Sequence, residues 1–236
     1  MSAPTLVPSQ NLIRLAAIFE GLSPVDLKRV LSRASLQTVP TGTFLFRQGE
    51  PAKEMFLLES GRVRLNEVTV DGRELLIRFV RPGEVCGDKA ALPGANYGAS
   101  ALSETPVRTY RWTTEMVAAS LSDVPRLATN LFAIATRYLH YSRERYRLLA
   151  TGSAESRIGW AVASLAHSIG ISEGKAVVIS GRALRRDIAD LAATTIYPVS
   201  RVLSDYERRG ALMRKRGALV LFQIPNVETR SLSCGV

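Results

Sequence analysis

RRDIADLAATTIYPVSRVLSDYERRGAL, residues 185–212, is the stretch whose reading decides the fold. Its apolar residues fall into two short stripes at helical spacing, Ile188 and Leu191, then Val199, Val202 and Leu203. The spacing predicts one helix over Arg185–Ala192, a turn at Ala193–Thr194, and a second helix beginning at Thr195. Ala189 and Ala193 are small where two crossing helices must approach closely. Thr195 is of the type that caps a helix, and Pro198 falls in the first turn, where a missing N–H is tolerated. Such a helix-turn-helix leaves Ile196, Tyr197, Ser200 and Arg201 projecting from the second helix's N-terminal part, the part that enters a DNA major groove. An ordinary pair of packed helices is the simpler alternative. The tight turn, the small residues at the crossing and the local charge weigh against it.

The chain carries 31 Lys and Arg against 21 Asp and Glu, a formal net charge of +10. Residues 181–216 hold nine basic and four acidic side chains, so half of that excess lies in one short region. Nucleic acid is the expected partner of such a patch, with Arg185, Arg186, Arg208 and a Lys215-Arg216 turn placed to hold phosphates. No apolar run is long enough to span a bilayer, and no basic amphipathic helix with exposed aromatics suggests a membrane surface. MSAPTLVPSQ lacks a charged-then-apolar leader, and Cys86 and Cys234 cannot make a disulfide framework. A reducing cytoplasm is the expected compartment.

Around the helix-turn-helix the sequence predicts an α+β chain. Residues 11–33 read as short helices, the second opened by Ser23-Pro24. From about Leu36 to Thr113, short Val-, Leu- and Phe-rich runs alternate with glycines, as in an antiparallel β-roll; EVTVDGRELLIRFV is its clearest hairpin. A long helix is expected from about Ser122 to Ala150. Val124, Leu127, Leu131, Ile134, Tyr138, Tyr141, Arg145 and Leu148 step along it three and four apart, so Leu127, Leu131, Ile134, Tyr138, Tyr141 and Leu148 are the expected homodimer seam. Thr151-Gly152-Ser153 is the expected hinge, Ala154–Ser168 a further amphipathic helix, and GISEGKAVVIS a turn and a strand. GALMRKRGALVLFQI then reads as two strands of a wing. The expected divisions are 1–121 for helices and sensory roll, 122–152 for the dimerisation helix and hinge, and 153–236 for a winged helix-turn-helix.

In this order, FLFRQGEPAKEMFLLESGRVRL, RPGEVCGD and TTIYPVSRVLSDYERRGAL make the chain resemble the CRP/FNR family of bacterial transcription regulators over roughly residues 12–225. The resemblance implies a cytoplasmic homodimer with a cyclic-nucleotide-binding-like sensor domain. It implies a palindromic double-stranded operator, with half-sites about 34 Å apart, and RNA polymerase as a partner. Arg201 matches the position that reads a guanine, and Ser200 the serine beside it in the FNR-like branch. Tyr197 stands where the family commonly has glutamate, and Ile196 where cyclic-AMP-responsive members have arginine. The TT-x-x-x-VSR-x-L pattern is most similar to regulators of nitrogen-oxide metabolism.

The same resemblance implies an effector pocket at Gly87, Asp88, Tyr97, Ala99, Ser100 and, on the long helix, Ser142. In nucleotide-binding members an Arg-Ser pair holds the cyclic phosphate, and a buried phosphate needs a charge-compensating donor. Here Asn96-Tyr97-Gly98-Ala99-Ser100 contains no arginine, which argues against cyclic AMP without excluding a cyclic nucleotide. Two cysteines cannot furnish the roughly four thiolates of an iron–sulfur cluster. Haem stays open, with His140, His167, Cys86 and Tyr97 as ligand candidates. Cys86, between Glu84 and Asp88, is expected to be a structural thiol. No catalytic constellation is present, and no metal-ligand spacing. A cyclic-nucleotide-type module acting on a protein partner is the alternative function, but it leaves the basic C-terminal region without a purpose.

Overall fold

The computed structural model describes residues 10–181 and 183–223. The chain is α+β and divides into two compact units, one ending at Thr136 and the other beginning at Arg137.

The first unit opens with α1 (Gln10–Leu15), a 3-10 turn (Ala17–Phe19) and α2 (Pro24–Ser32). Ser23 caps α2 as its sequence predicts: its hydroxyl oxygen accepts from the Asp26 N–H at 3.1 Å, with Pro24 at the first helical position. Eight strands follow: β1 (Ser35–Val39), β2 (Phe44–Phe46), β3 (Glu54–Ser60), β4 (Val63–Val68), β5 (Glu74–Val80), β6 (Val85–Cys86), β7 (Ser100–Ser103) and β8 (Val107–Thr113). They form two antiparallel sheets, ordered β1-β8-β3-β6 and β2-β7-β4-β5. β4 and β5 pair around the Asp71-Gly72 tip, the predicted hairpin. Phe46, Phe56, Leu58, Val63, Val80, Cys86, Tyr97, Ala101 and Val107 belong to one buried cluster in the roll. Along β3 the residues between these, Met55 and Leu57, are buried as well, so the strand is covered on both faces. Trp112 Nε1–H donates to the Val30 carbonyl and Asn130 Nδ2 to those of Ile18 and Glu20, so these two enclosed donor groups are satisfied.

The expected long helix is α4 (Pro125–Thr151), beginning three residues after Ser122, and a separate helix that the sequence did not predict, α3 (Thr114–Asp123), precedes it. The residue before a proline is driven out of the helical region, and Val124 accordingly sits at φ −131°, ψ 79°. α4 runs through the boundary between the units.

The second unit contains the rest of α4, then α5 (Ala154–Ile169), β9 (Gly170–Glu173), β10 (Ala176–Ser180), α6 (Leu184–Leu191), α7 (Ile196–Arg208), β11 (Leu212–Lys215) and β12 (Ala218–Leu221). GISEGKAVVIS supplies two strands rather than one, and the sheet order is β11-β12-β10-β9. The expected hinge at Thr151–Ser153 is a tight corner inside this unit. Gly152 N–H donates to the Leu148 carbonyl, and a Cβ on Gly152 would lie 2.6 Å from that oxygen.

Candidate nucleic-acid interface

α6 and α7 form the helix-turn-helix within a residue of the predicted boundaries. Val199, Val202 and Leu203 bury one face of α7, and Ile188, Ala189 and Leu191 the facing side of α6. α6 ends in a left-handed cap. Ala193 has φ +46°, Thr194 N–H donates to the Ala189 carbonyl at 2.9 Å, and Ala193 N–H to that of Asp190 at 3.3 Å. Arg145, on α4, donates from Nη2 to the Asp190 carbonyl at 3.1 Å, adding a cation where the helix dipole is negative. Burial holds the Arg145 pKa below its ordinary value.

Thr195 stands at the cap position of α7, but its side chain makes no capping hydrogen bond. Beyond it the first turn is open: Ile196 is 50% and Tyr197 79% exposed, Ser200 is half-buried, and Arg201 is exposed one turn later. Arg185 and Arg186 are exposed at the start of α6, and Lys215 and Arg216 at the tip of the β11–β12 hairpin. Arg208 differs from these expected phosphate ligands, because Asp205 accepts from its Nη2 at 2.8 Å. The wing is fastened to α7 by an ion pair that sequence reasoning missed. Glu207 accepts from Arg214 N–H at 2.9 Å and Arg214 Nε at 2.6 Å, while Arg214 Nη1 donates to Ser204 Oγ at 3.0 Å. Those bonds to Arg214 hold the Glu207 carboxyl below its usual pKa. Seven residues separate the pair in sequence, and only the turn after α7 brings them together.

The expected effector residues include no arginine to pair with a phosphate. Gly87 is a true cradle residue: its φ is +74°, and a Cβ there would lie 2.6 Å from the Glu54 carbonyl oxygen. Tyr97 is buried, its ring stacked on Phe46 with centroids 4.0 Å apart and planes at 16°. Its hydroxyl donates to the Glu54 carbonyl at 2.7 Å and accepts from the Glu54 N–H at 2.9 Å. Ser100 Oγ accepts from the Gln48 N–H at 2.9 Å. Asp88 and Ala99 are half-buried, and Ser142 is exposed on α4. The arrangement does not fit a cyclic phosphate, because the position facing Phe46 holds a neutral ring already bonded to backbone. Burial pushes the Cys86 thiol up to about 12, with Asp88 and Glu84 adding to the shift against Arg78. His140 and His167 lie exposed on α4 and α5, and among the described residues no group of three His, Cys, Asp or Glu is placed to hold a metal.

Within the single chain the expected dimer-seam residues are unevenly covered. Leu127 is 1% exposed, Ile134 is also buried, and Tyr141 hydrogen-bonds Ser164 Oγ at 2.9 Å while tilting over Trp160. Leu131, Tyr138 and Leu148 are half-buried. Leu127, Ile134 and Tyr141 thus pack on their own chain. The outward stripe is one residue further along: Ala128, Phe132, Ala135, Leu139, Ser142 and Tyr146 are all exposed, again alternating four and three apart.

Residues 36–123 match the model of the cyclic nucleotide-binding domain family. The chain is 30% identical over 188 residues to the transcriptional regulator LdrP of Thermus thermophilus, covering 78% of this chain and 90% of that one. It is 24% identical over 211 residues to a CRP-like cAMP-activated global transcriptional regulator of Mycobacterium tuberculosis, covering 89% and 94%. The c-di-GMP responsive global regulator CLP of Xanthomonas campestris shares the fold, with TM-score 0.71, 22% identity and coverage of 85% and 99%. Roll, long helix and winged helix-turn-helix in this order define a DNA-binding transcription regulator rather than an enzyme. The chain belongs to the CRP/FNR family. No described helix is long and apolar enough to cross a membrane.

Proposed function

We propose that the chain works in the cytoplasm as a homodimer on a palindromic double-stranded operator, one α7 per half-site, with RNA polymerase as its partner. The two copies pair along the outward stripe of α4, where Phe132, Leu139 and Tyr146 recur every seventh residue. Its roll answers to a signal other than cyclic AMP, a reading supported by Tyr97 filling the place of a charge-compensating arginine. Micromolar binding of cyclic AMP or cyclic GMP in calorimetry would overturn that part.

The observation that carries the DNA reading is the open first turn of α7, with Arg201 exposed and a basic wing tip in the same unit. The Arg201 fork suits guanine O6 and N7. On a duplex selected in vitro with the full chain, Arg201→Ala is expected to cost about 1–3 kcal/mol and relax preference at one base pair per half-site. Unchanged affinity and unchanged preference refute the assignment. Lys215→Ala is expected to weaken all sequences alike and to lower the slope of log K against log salt by about 1 for each phosphate no longer neutralised.

A further inference from the structure

We infer that the recognition helix reads the 5-methyl group of thymine through Ile196 and Tyr197, about two base pairs from the guanine taken by Arg201. The inference rests on the DNA reading above and adds the chemical feature of the site that the helix selects.

Folding does not account for these two side chains. α7 buries itself through Val199, Val202 and Leu203, leaving Ile196 half exposed and Tyr197 mostly exposed at the start of the helix. Among the described residues, the Tyr197 side chain takes part in no hydrogen bond and its ring stacks on no other ring. The adjoining groups expected to meet DNA are polar, so an isoleucine and a tyrosine add apolar area where solvent alone would favour polar residues.

A DNA major groove resolves this. Its base edges present donors and acceptors at every pair, and the thymine methyl is their one apolar group. An isoleucine against the polar edge of guanine, adenine or cytosine removes water from a donor or acceptor and returns no hydrogen bond. Against thymine it buries a methyl instead. The sign of the preference follows from the side chain alone.

The helix also sets the spacing. Tyr197 and Arg201 are four residues apart and share one face, as do Ile196 and Ser200. Four residues advance about 6 Å along an α-helix. Base pairs are about 3.4 Å apart. With α7 lying along the groove, the thymine therefore falls about two base pairs from the guanine, on the side of the helix N-terminus.

The test uses the full chain and a duplex recovered from a randomised library. Each thymine is replaced singly by uracil, which lacks only the methyl, and affinity is read by fluorescence anisotropy at fixed salt. The guanine is located as the pair whose preference Arg201→Ala abolishes. Uracil at one position about two pairs away is expected to weaken binding about fourfold, the worth of one methyl-sized group. That penalty should vanish in the Ile196→Ala, Tyr197→Ala double variant and persist in Tyr197→Phe. Uracil tolerated at every position overturns the inference while leaving DNA binding intact. So does a penalty of unchanged size in the double variant, or one abolished in Tyr197→Phe, which would assign the interaction to the hydroxyl. A selection that recovers no consensus overturns the DNA reading, and this inference with it. Circular dichroism confirms that the variants fold, as expected for exposed positions.

Discussion

Tyr97 and Tyr197 both stand where the family resemblance implies another residue, and the chain uses them in opposite ways. In the roll, Tyr97 turns inward, lies flat on Phe46, and holds both backbone groups of Glu54 with its hydroxyl. On the recognition helix, Tyr197 turns outward and is 79% exposed. A replacement that fills a site removes a ligand's place and becomes part of the core. One that faces solvent keeps the site open and changes what it can touch. Tyr97 is thus part of the packing of the roll, while Tyr197 is left for the contact proposed on the second helix.

Alanine scanning separates the two most sharply. Tyr97→Ala should destabilise the roll by about 3–5 kcal/mol, the cost of deleting a buried aromatic ring and the cavity it leaves. Tyr97→Phe keeps the stack but leaves the Glu54 N–H and carbonyl without that partner, costing about 1–3 kcal/mol. Tyr197→Ala should stay within about 0.5 kcal/mol of the parent. Urea unfolding monitored by circular dichroism measures all three. Equal losses at the two tyrosines would break the comparison.

The same contrast runs along α4, between Leu127 on the inward stripe and Leu139 on the outward one. Leu127→Ala should cost about 2–5 kcal/mol of stability and leave association alone. Leu139→Asp should do the reverse, placing a carboxylate in the proposed seam and shifting sedimentation from dimer toward monomer. A dimer that survives Leu139→Asp but dissociates with Leu127→Ala would restore the inward stripe as the seam.

How much of this was legible depends on the range of the interaction that decides it. The Ser23 cap, the Asp71-Gly72 tip and the helix-turn-helix are local, because their partners lie within a few residues and their patterns name them. The phase of α4 is not local. Leu127, Leu131, Ile134 and Ala128, Phe132, Ala135 obey the same three-and-four rule one residue apart, about 100° around the helix. Only partners outside α4 choose between them: Asn130 bonds to Ile18 and Glu20, and Tyr141 to Ser164. Pro125 is a local signal too: it fixes the start of α4 by moving Val124 out of the helical region. Tyr97 could be recognised as a departure from a phosphate-binding pattern. Its use could not, since Phe46 and Glu54 lie more than forty residues away.

The smallest expected effect tests the turn that presents Tyr197. Ala193 holds a left-handed conformation in an exposed helix cap, a position that glycine fills without steric cost. An L-residue there costs roughly 1–2 kcal/mol. Glycine returns some of that relief by making the unfolded chain freer, by about 0.4–1 kcal/mol. Ala193→Gly should therefore stabilise the second unit by up to about 1 kcal/mol, read from its urea midpoint. DNA affinity is the more telling measurement. If Ala193 serves only to end α6, stability rises and binding is unchanged. If its restricted backbone also fixes the angle at which α7 is offered, the glycine variant gains stability and loses affinity. A loss of stability would mean that the left-handed cap is not formed in the protein.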